Sequence, residues 1–239
     1  ATLSAVALIL TFGPGCEAPP GAPPEGSVVV ASQPLVGQDG ALTVNGANTV
    51  VNQYGVLAAN AAVGATSATV TNIADLTSAT LGPLGAGDLV MLIQMQGATI
   101  DTSDTLQYGT VTALNNAGRY EIIGVAGTTG NVINLDTSCA GLKYAYTTAG
   151  NVQVVRVPQF STLTVGAAGS ITAPAWDGLR GGVVAVHAQT TVTLNGPIDV
   201  SGKGFRGGVV EDQSQAPGSN VNLFRSTDAL DGAEKGEGI

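Results

Sequence analysis

Gly202-Lys203-Gly204-Phe205-Arg206-Gly207 spells GxGxxG, the spacing by which a glycine-rich turn lets backbone N–H groups approach a pyrophosphate. That chemistry needs a strand before the turn and a helix after it, so that the helix N-terminus faces the phosphates. Here the chain continues Gly208-Val209-Val210-Glu211-Asp212-Gln213, with no amphipathic helical period. The spacing therefore predicts a structural corner and no nucleotide cofactor. His187 is the only histidine, and it lies in the alternating segment Val183-Val184-Ala185-Val186-His187-Ala188. No GxSxG nucleophile elbow accompanies it, so it reads as a structural side chain on a strand face. Asp101 and Asp104 are too sparse for calcium, which wants six to eight oxygens, and they read as a solvated turn. Asp228, Asp231, Glu234 and Glu237 are equally diffuse. One His and two Cys do not make a zinc site. No catalytic, cofactor or metal residues are expected.

Composition sets the class of element that must position these residues. The chain has 239 residues, 44% hydrophobic, 10% charged and 4% aromatic, with 34 glycines. Ordinary domains carry roughly 25% charge and about 7% Gly. Glycine costs about 1 kcal/mol at a helix position, so short strands and tight turns fit this balance better than helices. A mean hydropathy of +0.29 excludes a highly charged disordered chain. Eight basic residues against 17 acidic give a net charge of −9. The basic residues are scattered from Arg119 to Lys235, so no nucleic-acid partner is expected.

The first residues suggest an address. Ala1 to Phe12 is apolar, too short to span a bilayer as a helix and about the length of an export-signal core. Gly13-Pro14-Gly15-Cys16 resembles a lipoprotein processing box, although Gly13 stands where such boxes usually carry Leu. Residues 1–16 are read as an export signal with Cys16 as a candidate lipidation site; pairing of Cys16 with Cys139 is the alternative. Residues 17–40 read as a linker, opened by the proline-rich Glu17–Gly26 that favours extended polyproline II. The expected location is exported: outer membrane, cell surface or extracellular, with membrane attachment through a lipid anchor.

From residue 41 to 158 short apolar stretches alternate with Gly, Asn and Asp breaks about every ten residues. Strands are expected at Ala68–Thr71, Leu89–Gln96, Tyr108–Leu114, Arg119–Val125, Asn131–Leu135, Leu142–Thr147 and Val152–Val157, with a hairpin turn at Asn115–Gly118. In Leu89–Gln96 the period of two marks a central strand with one buried face. An antiparallel sandwich or barrel-like domain follows from this spacing.

From 159 to 239 a repeat appears. Gly178-Leu-Arg-Gly-Gly-Val-Val184 recurs 26 residues later as Gly204-Phe-Arg-Gly-Gly-Val-Val210, and the Leu163 and Val192 starts lie 29 apart. Each unit offers three short β segments, for instance Thr162–Val165, Ser170–Ala173 and Val183–Ala188. Stacked units of this length mark a solenoid. The expected fold is all-β: the antiparallel domain, then the start of a glycine-rich right-handed parallel β-helix, with hairpins in an antiparallel sheet as the alternative. Leu163 and Val192 should fill neighbouring inward rungs. Gly181, Gly182, Gly207 and Gly208 are expected at the repeat corners, with Arg180 and Arg206 in equivalent structural places. A solenoid needs about three repeats, so further turns are expected beyond Ile239.

Gly87-Asp-Leu-Val-Met-Leu-Ile-Gln-Met-Gln-Gly-Ala98, Tyr108-Gly-Thr-Val111, Val155-Arg-Val-Pro-Gln-Phe160, Gly202–Gly208 and Lys235–Ile239 together resemble large secreted surface proteins of gliding bacteria, the adventurous gliding motility proteins of the AgmC type. The likeness covers roughly residues 85 to 239. It implies a cell-surface protein of adhesion or motility, partnered by the cell envelope, surface polysaccharide or a substratum, and offers no catalytic residues to carry over. The short tethered N-terminus departs from that family's plan. The alternatives are a polysaccharide-active β-helix lyase or hydrolase, marked by acids gathered on one face, and a carbohydrate-binding module. In the repeats the only acids are Asp177 and Asp199, and Trp176 with the scattered Tyr residues makes no stacking stripe.

Overall fold

Alternating β-branched residues cut by Gly and Asn fold here into strands of two to eleven residues. The computed structural model describes residues 37–137 and 141–208, the backbone of Ala7–Leu10, and Phe224, Gly236 and Glu237. In chain order the strands are β1 Ala7–Leu10, β2 Ala41–Val44, β3 Thr49–Val50, β4 Gln53–Val56, β5 Ser67–Thr69, β6 Leu89–Gln94 and β7 Thr99–Ile100. There follow β8 Val111–Ala113, β9 Tyr120–Thr129, β10 Val132–Leu135, β11 Val152–Val157, β12 Gln159–Val165, β13 Ile171–Thr172 and β14 Val184–Leu194. The only helical turns among the described residues are single 3₁₀ turns at Ile73–Leu76 and Thr148–Gly150. The protein is all-β, with a curled antiparallel sheet and smaller parallel sheets.

The antiparallel sheet has six strands in the order β4-β11-β6-β9-β10-β5. Its two edges approach each other through the Leu57–Val70 bridge and the Ala58 N–H to Thr69 carbonyl bond of 2.7 Å, so the sheet curls round. Val90, Leu92, Ile123, Ile133, Val152 and Val154 fill the concave side with Leu76 and Tyr146. On the convex side Leu89, Met91, Ile122, Val155 and Val157 pack against Leu163, Val165, Ala185 and Val186 of the parallel part. The central strand β6 is therefore buried on both faces, not on one as period-two reading predicts. A continuous apolar run is what two-sided burial requires.

Two of the expected strands are corrected. Leu142–Thr147 is irregular, with a single β-bridge at Ala61–Tyr146 and backbone bonds of Leu142 to Gly64 and Ala65, because the Glu121 carboxylate takes the backbone N–H groups of Lys143 and Tyr144. Tyr108–Leu114 shrinks to β8, which pairs with β7 in an exposed finger and not with the main sheet. Asn115 and Asn116 do adopt positive φ, at 48° and 68°, but their turn leads from that finger into β9 and closes no hairpin.

The parallel sheet runs β1-β14-β12-β2. Ala41–Val44, Thr162–Val165 and Thr191–Leu194 align in register, so Leu42, Leu163 and Val192 occupy adjacent rungs, as do Val44, Val165 and Leu194. Leu163 and Val165 are wholly buried, Leu42 and Val192 partly so. A second, shorter ladder joins Thr49–Val50 to Ile171–Thr172, and Ile171 to Ile198. The antiparallel sheet thus lies in sequence between the first rung, Ala41–Val44, and the second. The expected third segment, Val183–Ala188, is no separate side: it runs straight on into Thr191–Leu194 as the eleven-residue β14. Ala7–Leu10, from the run read as an export signal, lies parallel on Val184–His187.

Where successive ladder turns cross, there is no room for a side chain. A Cβ on Gly169 would sit 2.1 Å from the Val44 carbonyl oxygen, and one on Gly196 would sit 2.1 Å from the Gly169 oxygen. Backbone groups this close leave glycine as the only fit.

Candidate functional site

The sequence-derived candidates do not converge. Cys16 and Cys139 lie outside the described residues. His187 is 1% exposed in the middle of β14, in register with Gln159 on one side and Leu10 on the other, and burial pushes its pKa down. Asp101 folds back on its own loop, its Oδ1 accepting from the Ser103 N–H and hydroxyl at 2.8 and 2.5 Å. Asp104 accepts from the Phe224 N–H at 2.6 Å. Residues Gly202–Gly207 form turn and irregular chain, with no helix following through Gly208. Trp176 is 4% exposed, packed edge-to-face on Phe205 at 5.1 Å, so its indole is no open sugar platform.

The corner assignments divide. Gly181 and Gly182 have φ of 106° and 72°, and a Cβ there would lie 2.6 Å from the Ala175 oxygen and 2.7 Å from the Lys203 oxygen. Both are forced to be glycine. Gly207, by contrast, faces open space without a positive φ, and Gly208 is half-buried. Arg180 and Arg206 also part company. Arg206 is 63% exposed and pairs with Glu237, holding that carboxyl below its usual range. Arg180 turns inward to bridge the two sheet systems.

That bridge lines a cleft of about 370 Å³ between β4, the 3₁₀ turn Ile73–Leu76 and the loop Pro174–Gly181. Arg180 Nη1 donates to the Tyr54 carbonyl at 2.6 Å and to Asp75 Oδ2 at 2.5 Å, while its Nε lies 3.7 Å from Asp177 Oδ2. Asp177 Oδ1 in turn accepts from the Leu179 and Arg180 N–H groups, fixing the loop. Asn72 caps the 3₁₀ turn through the Ala74 N–H and also donates to Asp75 Oδ1. Gln53 lines the wall, and its Oε1 is shielded from solvent with no hydrogen-bond partner. Beneath, the Gln153 side chain and the Gly181 backbone exchange two bonds of 3.0 and 3.2 Å. The phenol of Tyr54 donates to the Val183 carbonyl at 2.6 Å, and its burial pushes the pKa up. The floor is tied down by these hydrogen bonds, and the rim carries donors and acceptors.

Gln53 and Asp75 have no signal in the sequence that ties them to Arg180, since Asp75 lies 105 residues away from it. Only topology brings them together. Two other polar clusters are sealed. Arg156, 2% exposed, donates to both Asp88 oxygens at 3.0 Å and to the carbonyls of Leu76, Leu81 and Gly82. Glu121, 1% exposed, has its pKa raised by burial despite its two backbone donors. Neither is open to a ligand. Among the described residues no group of three or more His, Cys, Asp or Glu could hold a metal ion.

No family model matches the chain, and no curated protein matches it. Distant likeness exists among solved structures. The Pseudomonas phage phi297 tailspike gp61 aligns with 69% of this chain and 24% of its own, at 13% identity and a TM-score of 0.29. The Gp54 tailspike of Acinetobacter baumannii bacteriophage AP22, solved with an A. baumannii capsular saccharide, aligns over 60% and 27% at 15% identity and a TM-score of 0.28. The tailspike protein gp49 of Pseudomonas phage LKA1 gives 62% and 27%, 12% and 0.28. The alignments span about a quarter of the length of each tailspike. A likeness of this size concerns β-rich architecture and assigns no activity.

Proposed function

We propose that the chain is an exported cell-surface structural and adhesive module without catalytic activity, linked to gliding motility, whose parallel ladders begin a right-handed parallel β-helix and whose antiparallel sheet forms a barrel-like domain seated on its side. Its partners are the cell envelope and a surface polysaccharide or substratum. Cys16, freed as the new N-terminus by removal of residues 1–15 and with them β1, carries a lipid that anchors it, and the residues from 17 up to Asp39, which is bonded to Gln159, tether the folded part away from the membrane.

The observation that carries this reading is the register Leu42–Leu163–Val192, three inward residues on adjacent parallel rungs. Main-chain bonds between rungs and stacked apolar side chains give a stiff rod, which suits a load-bearing element. The two-sided burial of β6 and β11 fixes the antiparallel sheet to that rod, so a pull on one is transmitted to the other. Glu121 and His187, whose pKa values burial moves, are packed inside the fold in separate places and not gathered at one cleft, which favours structure over turnover.

The test is deletion of the gene in the producing cells, followed by attachment and spreading on glass and on polysaccharide-coated surfaces. Loss of attachment with no release of reducing sugar by the purified protein is the expected result. Sugar release would overturn the non-catalytic reading. Metabolic labelling with palmitate tests the anchor: Cys16→Ser should abolish the label, and an undiminished label removes the anchor from the proposal.

A further inference from the structure

We infer that the cleft between Gln53, Asp75 and the Pro174–Gly181 loop binds a hydroxyl-bearing unit, a saccharide residue, through Gln53, Asp177 and Arg180. This rests on the surface-polysaccharide reading above and gives it a site.

The argument is one of matching donors and acceptors. Gln53 Oε1 has no donor where it lies, shielded from solvent, and that cost favours a turn of the side-chain amide toward the cleft that Gln53 lines, where a ligand can supply one. The side-chain amide of the same residue can donate two hydrogens, and Asp177, 54% exposed on its side chain, keeps acceptor capacity toward the opening. Arg180 spends Nη1 on Tyr54 and Asp75, and its Nε lies 3.7 Å from Asp177 Oδ2, too far for a short bond. A cleft that offers donors and acceptors together is satisfied by groups that both give and take a hydrogen bond, and a hydroxyl does both.

Other ligand classes fit less well. A metal ion would have to displace the guanidinium that already sits against Asp75 and near Asp177. An anion finds the charge of Arg180 matched by two carboxylates. A cationic side chain meets a net charge of only −1 with Arg180 in the way. Pro174 and Ala175 supply the apolar wall against which a sugar's C–H face can lie. At about 370 Å³ the cleft falls in the small-ligand range of roughly 300–1,000 Å³ and suits one or two sugar units of a longer chain. Asp75, Asp177 and Arg180 are held by bonds that do not depend on the ligand, so that part of the site is formed in advance.

The experiment uses the full chain on a printed array of hexose, N-acetylhexosamine and hexuronate oligosaccharides, with oligolysine as the cationic arm. Wild type should bind at least one oligosaccharide class, and Gln53→Leu and Asp177→Asn should each weaken that binding at least ten-fold. Gln53→Leu removes an unpartnered buried oxygen, so its thermal midpoint should be equal to or above wild type, which separates loss of ligand from loss of fold. Binding to no oligosaccharide, or to oligolysine alone, overturns the inference and leaves the structural reading standing. Oligosaccharide binding unchanged in both variants moves the site elsewhere and overturns the cleft while supporting the polysaccharide partner. Sugar release by the bound protein would instead strike at the non-catalytic reading.

Discussion

Leu163→Ala is the sharpest test of the stacked rungs. Leu163 is 0% exposed, flanked in register by Leu42 on one strand and Val192 on the other. Ladder bonds on both sides hold the strands about 4.8 Å apart, so the hole left by the substitution cannot close. Truncating a fully buried leucine costs about 2–5 kcal/mol, and a site that cannot collapse belongs in the upper half of that range. Leu194, on the neighbouring rung but 48% exposed, should lose less than about 1.5 kcal/mol on truncation to Ala. With a urea m-value of about 3 kcal/mol/M, a loss of 3 kcal/mol moves the unfolding midpoint by about 1 M. Equilibrium urea unfolding followed by far-UV circular dichroism reads both shifts. A double-mutant cycle of Leu163→Ala with Val192→Ala should show coupling above about 0.5 kcal/mol, while Leu163→Ala with Leu135→Ala, in the other core, should add. If Leu163→Ala costs no more than Leu194→Ala, or shows no coupling to Val192, the rungs do not stack as described.

Arg156→Leu leaves buried Asp88 without its counter-charge and removes the guanidinium's bonds to three carbonyls, and should cost about 3–5 kcal/mol by the same urea assay. Gly196→Ala drives a methyl against the Gly169 carbonyl and should lower stability by about 1–3 kcal/mol, seen as a drop in thermal midpoint. The folded pKa of His187 lies below its ordinary value of 6.5 because of burial, so its contribution is present above pH 6.5 and is lost as pH falls through the folded pKa. Urea titrations between pH 7.5 and 5 should therefore show falling stability, with a shallower slope in His187→Gln.

How much of this was readable depends on distance along the chain. Thr162–Val165 and Thr191–Leu194 lie close enough for their matching patterns, and the Leu163–Val192 rung, to be seen. Ala41-Leu42-Thr43-Val44 carries the same outward Thr and inward Leu and Val, yet 118 residues separate Val44 from Thr162, and a search for local repeats passes over it. Sequence does not fix the side on which Val183–Ala188 belongs, because a short apolar segment after a Gly corner looks the same whether the chain bends after Ala188 or continues to Leu194. Alternation in Leu142–Thr147 suggests a strand, but one buried carboxylate, Glu121, claims its N–H groups. The pairing of Arg180 with Asp75 is set by how the two sheet systems dock. The two similar GxRGG corners gave no hint that Arg180 would turn inward and Arg206 outward to Glu237.

The antiparallel sheet enters and leaves the parallel ladders side by side, with Gln53 paired to Arg156 across β4 and β11. Joining Leu42 to Leu163 directly would require closing a segment of about 120 residues, but once β4 and β11 have zipped together fewer than about 20 residues remain to be restrained. On a logarithmic loop-closure cost that shortcut saves about 2 kcal/mol. The six-stranded sheet thus works as a clasp that holds the two halves of the first rung pair beside one another.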